Sequence, residues 1–514
     1  MRRSSAAYPA TLDPHLVTTT WERDIIAEMF EGLMTLSAAG KPAPGAASEY
    51  AVSEDGLTYT FKLRNGLVWS DGEPLTAEDF VYSFRRALNP VTASPYASIL
   101  FPLLNGEDIS LGRAPPTSLG VSAIDPETVE IRLESPTPYF LDLLTHMSAS
   151  PTPRHAIERY GADWTDPAHI VVNGPFILSG LREGRELTLR RNANFHESAS
   201  VYFDSVVYLV IEDAEASLYR FTSGELDLAQ GRSAYPSDKA AAIDAVMPWA
   251  RRDEILLSLD FIAANTSRPP FDDPRLRRAL SLSIDREALA SLNGSAGGAP
   301  AWSFAPPGVA NYVSEPPMLA ARALTHEARI QRAKELLAAA GFDDATPLAL
   351  TFISRAVPSD PNPVAGAIAD MWRGIGVRVE LQLLGPRAAY AAYEAGEFEV
   401  GDAGWRADYD DPQTFLLPAT ASDGALNFSR YENPEVEALM AEAANTVDLE
   451  RRAIIIAQAE AILLSELPLI PILHGFNRNL VAAHIVGWEP NPKGAHLSRY
   501  LSVHELPNGA TATR

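Results

Sequence analysis

The chain has no cysteine among its 514 residues, so disulfides, thiolate metal sites and a cysteine nucleophile are excluded together. That absence is compatible with an oxidising compartment. Positive charge is also scarce: 42 lysines and arginines stand against 66 aspartates and glutamates, a net charge of −24. Such a surface repels nucleic acid and anionic membranes, so neither is expected as a partner. No apolar run approaches the roughly 18 residues that a membrane-spanning helix needs. The opening "MRRSSAAYPATLDPH" has basic residues but no apolar core, so it is not a secretory leader as it stands. Phosphate loops of the G-x-x-x-x-G-K-[ST] type, G-x-G-x-x-G fingerprints, H-E-x-x-H zinc helices and G-x-S-x-G nucleophile elbows are all missing. The glycine-rich "NGSAGGAP" at 293–300 lacks the flanking strand and helix that phosphate binding requires. The ten histidines are scattered. No cofactor and no metal are expected.

A composition of 46% hydrophobic and 21% charged residues is that of a globular protein, and the length exceeds one ordinary core, so two or three domains are expected. "LTYTFKLR" places Tyr59, Phe61 and Leu63 on one face of a half-buried strand. "DGEPLTAEDFVYSFRRALNP" takes up helical spacing, with Thr76 and Asp79 as a capping box and Phe80, Phe84 and Leu88 as one apolar stripe. Val129, Ile131 and Leu133 point inward from another strand, and further strands follow near 186–191 and 204–211. The second half has a different grammar. "PLALTFIS", "VAGAIADMWRGI" and "GVRVELQLL" read as strand, helix and strand, with Val377, Val379, Leu381 and Leu383 on one face. That is a β-α-β unit with parallel strands. "THEARIQRAKELLAAAG" is a helix closed by Gly341, "NPEVEALMAEAAN" and "DLERRAIIIAQAEAILLSELP" are two more, and "LIPIL" is an apolar strand. The expected architecture is α/β with mixed sheets in at least two lobes.

One stretch carries more charge than its neighbours favour. "GDAGWRADYDDPQTFLLPAT", Gly401 to Thr420, sets Asp402, Asp408, Asp410 and Asp411 among Trp405, Tyr409 and Phe415. A carboxylate in apolar surroundings is costly without a positive partner. Asp410 and Asp411 precede Pro412 and a helical run, where an acid caps a helix N-terminus or joins a surface salt bridge. Asp408 has three readings. A metal is one, although the D-x-[DN]-x-[DN]-G spacing and closing glutamate of a calcium loop are missing. Arg406 is the second, since Gly404, Arg406 and Asp408 share a face if the chain is extended there. The third is a cation brought from outside.

"GWRADYDDPQTFL" resembles the W-x-A-D-Y-x-x-P-x-x-F-L segment of periplasmic oligopeptide-binding proteins, the peptide branch of solute-binding protein family 5. "ATLDPHL", "FEGLMTL", "GKPAPGAASEY", "FKLRNGLVWSDGEPLTAEDFVYSFRRALNPVTASPYAS", "NGPFIL", "PPFDDPRLRRALSLSIDRE" and "AKELLAAAGF" resemble that family in the same order, across about residues 8–505. The resemblance implies a large, type II-like periplasmic-binding-protein fold. Two lobes joined by a hinge close on ligand, and an extra domain is inserted in the first. Transferred to this chain, lobe one spans 1–30, 171–255 and 475–514, the insertion 31–170, and lobe two 256–474. It further implies a periplasmic, monomeric binding protein, its leader removed. Such a protein performs no chemistry and hands its ligand to the membrane permease of an ABC importer.

The resemblance also implies roles for individual residues. Asp408 stands where relatives pair a carboxylate with the ligand's α-ammonium group, and Tyr96, in "ASPYAS", matches a tyrosine supporting the same group. Ser258 matches a position of main-chain contact. Thr18, Thr19, Thr20 and Trp21, with Gly404 to Arg406, match flanking segments whose backbone meets a peptide in the manner of strand addition. Trp405 would wall a side-chain pocket. Two departures matter. Asp402 occupies the place before A-G-W where relatives can offer an arginine to a short peptide's carboxylate, and no arginine stands in "AAYEAGEFEV". An acid there repels a carboxylate, so amidating a tripeptide is expected to leave its affinity unchanged or improve it, with Arg406 as the reserve cation. Leu473, His474 and Gly475 replace common aromatics and imply a roomier pocket.

The same scaffold can serve a non-peptide ligand such as an opine, an amino-sugar or a modified amino acid conjugate, in which Asp408 still meets an amine. A hydrolase on this scaffold is the third reading, with no nucleophile or metal motif behind it. On the leading reading, ligand shifts an open–closed equilibrium through contacts on both lobes. Saturating ligand is then expected to reduce the radius of gyration in small-angle scattering; equal radii for verified free and bound samples would count against closure.

Overall fold

Alternating side chains build the strands nearest the start as expected. Tyr59, Phe61 and Leu63 are buried on one face of the strand Thr58–Leu63, which pairs antiparallel with Ala47–Val52 and with Thr128–Arg132. Val121–Asp125 completes a four-stranded antiparallel sheet. The helix Ala77–Leu88 packs on it through Phe80, Phe84 and Leu88, all within the core. Its start is fixed by the capping box: the Asp79 carboxylate accepts from the Thr76 N–H at 2.8 Å. The computed structural model describes every residue except 232, 293–297, 356–362, 421–426 and 505–514. Most of "NGSAGGAP" therefore lies outside the described residues.

The chain divides into two units, residues 1–254 with 477–514 and residues 255–476. The chain passes from one to the other twice, after Glu254 and after Phe476. The first unit also holds a six-stranded mixed sheet. Its strands run in the order Asn479–Val481, Leu228–Gln230, Arg2–Ser5, Ser205–Val210, Glu186–Arg191 and Phe176–Arg182. Arg2–Ser5 is parallel to both neighbours, and the outer pairs are antiparallel. Leu187, Leu189, Val206 and Tyr208 of this sheet pack with Ile25, Ile26 and Met29 of the helix Thr20–Met29.

The second unit is built on a six-stranded sheet in the order Ala299–Pro300, Leu469–His474, Ser258–Ala264, Val400–Arg406, Ala349–Arg355 and Arg378–Leu384. Ala349–Arg355 and Arg378–Leu384 are parallel and flank the helix Pro363–Gly374, the β-α-β unit read from the sequence. One detail differs. Leu383 is 49% exposed, and Leu384 packs on the core instead, because the edge strand ends there and Gly385 caps the next helix. The helix His326–Ala339 ends as expected, with Gly341 at φ +93° just past it. The helices Pro434–Ala444 and Leu449–Glu466 pack against each other beside the sheet. Among the described residues no helix is long and apolar enough to cross a membrane.

Candidate ligand-binding site

Asp408 sits just beyond the end of the strand Val400–Arg406, in a bend, with Ala407 N–H held by the Leu257 carbonyl at 2.9 Å. Its carboxylate is open to solvent, yet the surrounding protein desolvates it and holds its pKa above the ordinary carboxylate value. Among the described residues no side chain donates to it. Arg406 does not pair with it, because the strand stops at 406 and the alternation that would set 406 and 408 on one face stops too. Tyr409, Asp410 and Asp411 turn inward and are buried.

Those inward acids are satisfied by the protein. Asp411 makes a bidentate pair with Arg452 of the helix Leu449–Glu466, at 2.7 and 2.9 Å, and neither side chain has any exposure. It also accepts from the Gln413 N–H at 3.1 Å, the helix-capping part expected of it. Asp410 accepts the Ala310 N–H at 2.7 Å. For Asp411 the surface salt bridge considered is therefore a buried one.

Asp402 requires a correction. It is buried and accepts from the Ser354 hydroxyl at 2.9 Å, the Arg355 N–H at 2.8 Å and the Arg355 Nε at 3.0 Å. Its negative charge is matched by a guanidinium, so the repulsion of a ligand carboxylate expected from the sequence has no basis. Arg355 also donates to the Tyr390 hydroxyl at 2.8 Å. Gly404 lies beside it: a Cβ there would stand 3.5 and 3.6 Å from the two Nη atoms of Arg355 and 2.9 Å from an Asp260 carboxylate oxygen. A side chain at 404 would therefore crowd the Asp260 carboxylate, which lies beside the Arg355 guanidinium.

The other residues of this unit serve its own packing to differing degrees. Trp405 is half-buried against the core, and its indole N–H donates to the Thr414 hydroxyl at 2.9 Å. Ser258 is committed internally: its N–H goes to the Leu256 carbonyl at 2.8 Å and its hydroxyl accepts from Gly475 N–H at 3.1 Å. Its carbonyl meets His474 Nδ1 at 3.2 Å. His474 is itself buried, and burial lowers its pKa to about 4. A neutral, enclosed imidazole held on a carbonyl packs within its own unit.

In the first unit, Thr18 to Trp21 are not an extended edge. Thr19 caps the helix Thr20–Met29, and the Thr18 and Thr19 N–H groups both donate to the Glu22 carboxylate, at 3.2 and 3.1 Å. The Thr18 and Thr19 amides are turned to Glu22, and Thr20 and Trp21 open the helix rather than continue an extended segment. Tyr96 is half-buried and tilts against the His146 ring at 5.0 Å.

The family model described as "Bacterial extracellular solute-binding proteins, family 5 Middle" matches residues 41–427. The chain belongs to this family. The periplasmic oligopeptide-binding protein of Salmonella typhimurium is 34% identical over 492 residues, covering 95% of this chain and 89% of the relative. A probable deoxycholate-binding periplasmic protein of Escherichia coli is 31% identical over 515 residues, covering 98% and 94%. The solved unliganded open form of a periplasmic murein tripeptide-binding protein aligns with a TM-score of 0.86 at 31% identity, covering 98% of this chain and 97% of that one. The fold of this family 5 protein is the mixed α/β fold of those periplasmic binding proteins.

Sequence reasoning missed Arg355 and Arg452. Each stands more than 40 residues from its acid, at separations of 47 and 41. The only available signal was "TFISR", a strand ending in a cation. The two kinds of acid are expected to respond oppositely to substitution. Asp411→Asn leaves Arg452 buried without a counter-charge and is expected to cost about 3–5 kcal/mol in urea unfolding. Asp408→Asn is expected to stabilise the ligand-free protein. With the folded pKa raised, the charged carboxylate opposes folding once pH rises through that pKa, and not below the unfolded value. The gain in melting temperature should therefore be present at about pH 7 and absent at about pH 3.

Proposed function

We propose that this family 5 protein is the extracytoplasmic substrate-binding component of an ABC importer, capturing peptides or peptide-like ligands that carry a free amine, without chemical conversion. The carrying observation is Asp408: a solvent-open carboxylate, desolvated by its surroundings, with no donor among the described residues. An ammonium group arriving there recovers the cost of that desolvation. The match to an oligopeptide-binding relative over nearly the whole chain supports the same reading. In functional terms, residues 1–30, 171–255 and 475–514 form one lobe, 31–170 an insertion and 256–474 the other lobe.

At the acid end, Arg355 replaces Arg406 as the cation of choice, because its side chain is partly exposed and its Nη atoms lie 3.5 and 3.6 Å from the Cβ position of Gly404, with Asp260 beside them. A second reading, a non-peptide ligand on the same scaffold, draws on the relative named for deoxycholate.

Calorimetry with tri-alanine and its N-acetyl and C-amide forms tests these assignments. Asp408→Asn is expected to weaken tri-alanine binding by about 2–5 kcal/mol, while leaving the N-acetyl peptide's affinity unchanged. Unchanged tri-alanine affinity in a folded variant would remove the amine role. Amidation is now expected to cost the native protein more than tenfold, about 1.4 kcal/mol; equal affinity for acid and amide would remove Arg355 from the site. Native mass spectrometry of the purified protein separates the peptide reading from the non-peptide one by the mass of any retained ligand.

A further inference from the structure

The acids that follow Asp408 share a loop with a buried glutamate. Segment 301–312, "AWSFAPPGVANY", has no helix or strand of its own. The Phe304 and Ala305 N–H groups donate to Glu460 Oε1 at 2.6 and 3.2 Å, and the Tyr312 hydroxyl donates to Glu460 Oε2. Ala310 N–H donates to Asp410 at 2.7 Å, and the Asn311 amide donates to Asp411 at 3.3 Å. Arg452 and Glu460 lie on the one helix Leu449–Glu466. A closed circuit results: helix to Asp411 through Arg452, the Asp408–Asp411 segment to the loop, and the loop back to the helix through Glu460.

Glu460 is fully buried, and among the described residues no cation pairs with it. Burial pushes its carboxyl up to about 7, against the opposing hydrogen bonds from Tyr312, Ala305 and Phe304. The charged groups of the neighbouring elements are engaged elsewhere: Arg286 and Arg329 lie over the Trp302 ring of the loop, Arg286 donating to the Pro471 and Ser281 carbonyls and Arg329 pairing with Glu287. Arg452 holds Asp411 and Gln413. On the helix Pro274–Ser283, Arg275 pairs with Asp273, while Arg277 and Arg278 bind the Glu466 and Ser465 carbonyls. On Pro434–Ala444, Glu442 pairs with Arg451, and Glu435 and Glu437 face solvent. His474 of the adjoining strand sits on the Ser258 carbonyl.

We propose that Glu460 is a positioning residue for Asp408, acting through loop 304–312, and that gain or loss of its proton changes the grip on an amine-bearing ligand. The proposal rests on the Asp408 reading above. Ionised, Glu460 receives charge-assisted hydrogen bonds from the loop, about twice as strong as neutral ones, so the loop and Asp410 are held more firmly. Its added negative charge also favours a cationic ligand. Both effects have the same sign: affinity rises as Glu460 loses its proton. Glutamine at 460 mimics the protonated acid, since its carbonyl accepts the two N–H groups and its amide donates to Tyr312.

The ratio of tri-alanine affinities, native over Glu460→Gln, cancels titration of the peptide itself. It is expected near one at about pH 5.5 and about fivefold in favour of the native protein at about pH 8.5. Tyr312→Phe removes a hydrogen bond that favours the ionised form, so the pH dependence should move to higher pH. A pH-independent ratio, with discrimination between tri-alanine and its N-acetyl form intact, would overturn this proposal alone. The same pH-dependent ratio for the N-acetyl peptide would also overturn it, since the effect would then bypass Asp408. Equal affinity of the native protein for the two peptides at every pH would overturn the Asp408 reading and this one with it. Thermal melts supply a readout without ligand. Protonated Glu460 stabilises the fold fully below the ordinary glutamate pKa, and that contribution is lost as pH rises through about 7. The native melting temperature should fall relative to Glu460→Gln over that window; parallel melting curves would overturn the proposal.

Discussion

The bidentate pair between Arg452 and Asp411, without exposure on either side, is the fixed point from which the candidate site is held. A buried ion pair is a poor source of net stability, because desolving both charges cancels much of their attraction. Its consequence is geometric. Breaking one partner strands the other in apolar surroundings, so the segment after the strand Val400–Arg406 is confined to the one path that places Asp411 on Arg452. Asp410 is then set against Ala310 N–H, and Asp408 is left on the outer side of the bend.

Charge in this unit is distributed by the same logic. Of the four aspartates between 402 and 411, three are met by donors of the chain itself: Ser354 and Arg355 for Asp402, Ala310 for Asp410, Arg452 and Gln413 for Asp411. Each inward carboxylate has acquired hydrogen bonds because an unpaired one would cost more than the fold can spare. Asp408 differs by staying at the solvent boundary, where a carboxylate survives alone but at a raised pKa. That difference, rather than the density of acids, sets Asp408 apart from the acids that serve packing. Glu460 is the intermediate case: buried like Asp411, yet stabilised by two amides and a phenol in place of a cation.

Family 5 members with deoxycholate-related and peptide-related names lie at similar identity to this chain. The names of these relatives differ in ligand class while the identity and the fold are shared.

Much of the architecture was legible in one dimension. Period-two alternation marked Thr58–Leu63, a helical stripe marked Ala77–Leu88, and the strand–helix–strand order of 349–384 required parallel pairing. The A-D-Y segment singled out Asp408. These features are local, so their physical causes act between residues a few positions apart. The capping box at Thr19 is equally local, through Glu22 three residues on, but the extended reading of 18–21 overlooked it. What the tertiary structure alone decided is which acids find partners. Arg355 reaches Asp402 because their strands are parallel neighbours, and His474 is enclosed because its strand runs next to Ser258–Ala264. Such pairings depend on sheet order and register, which bring together residues dozens of positions apart, and no local pattern in the sequence encodes them.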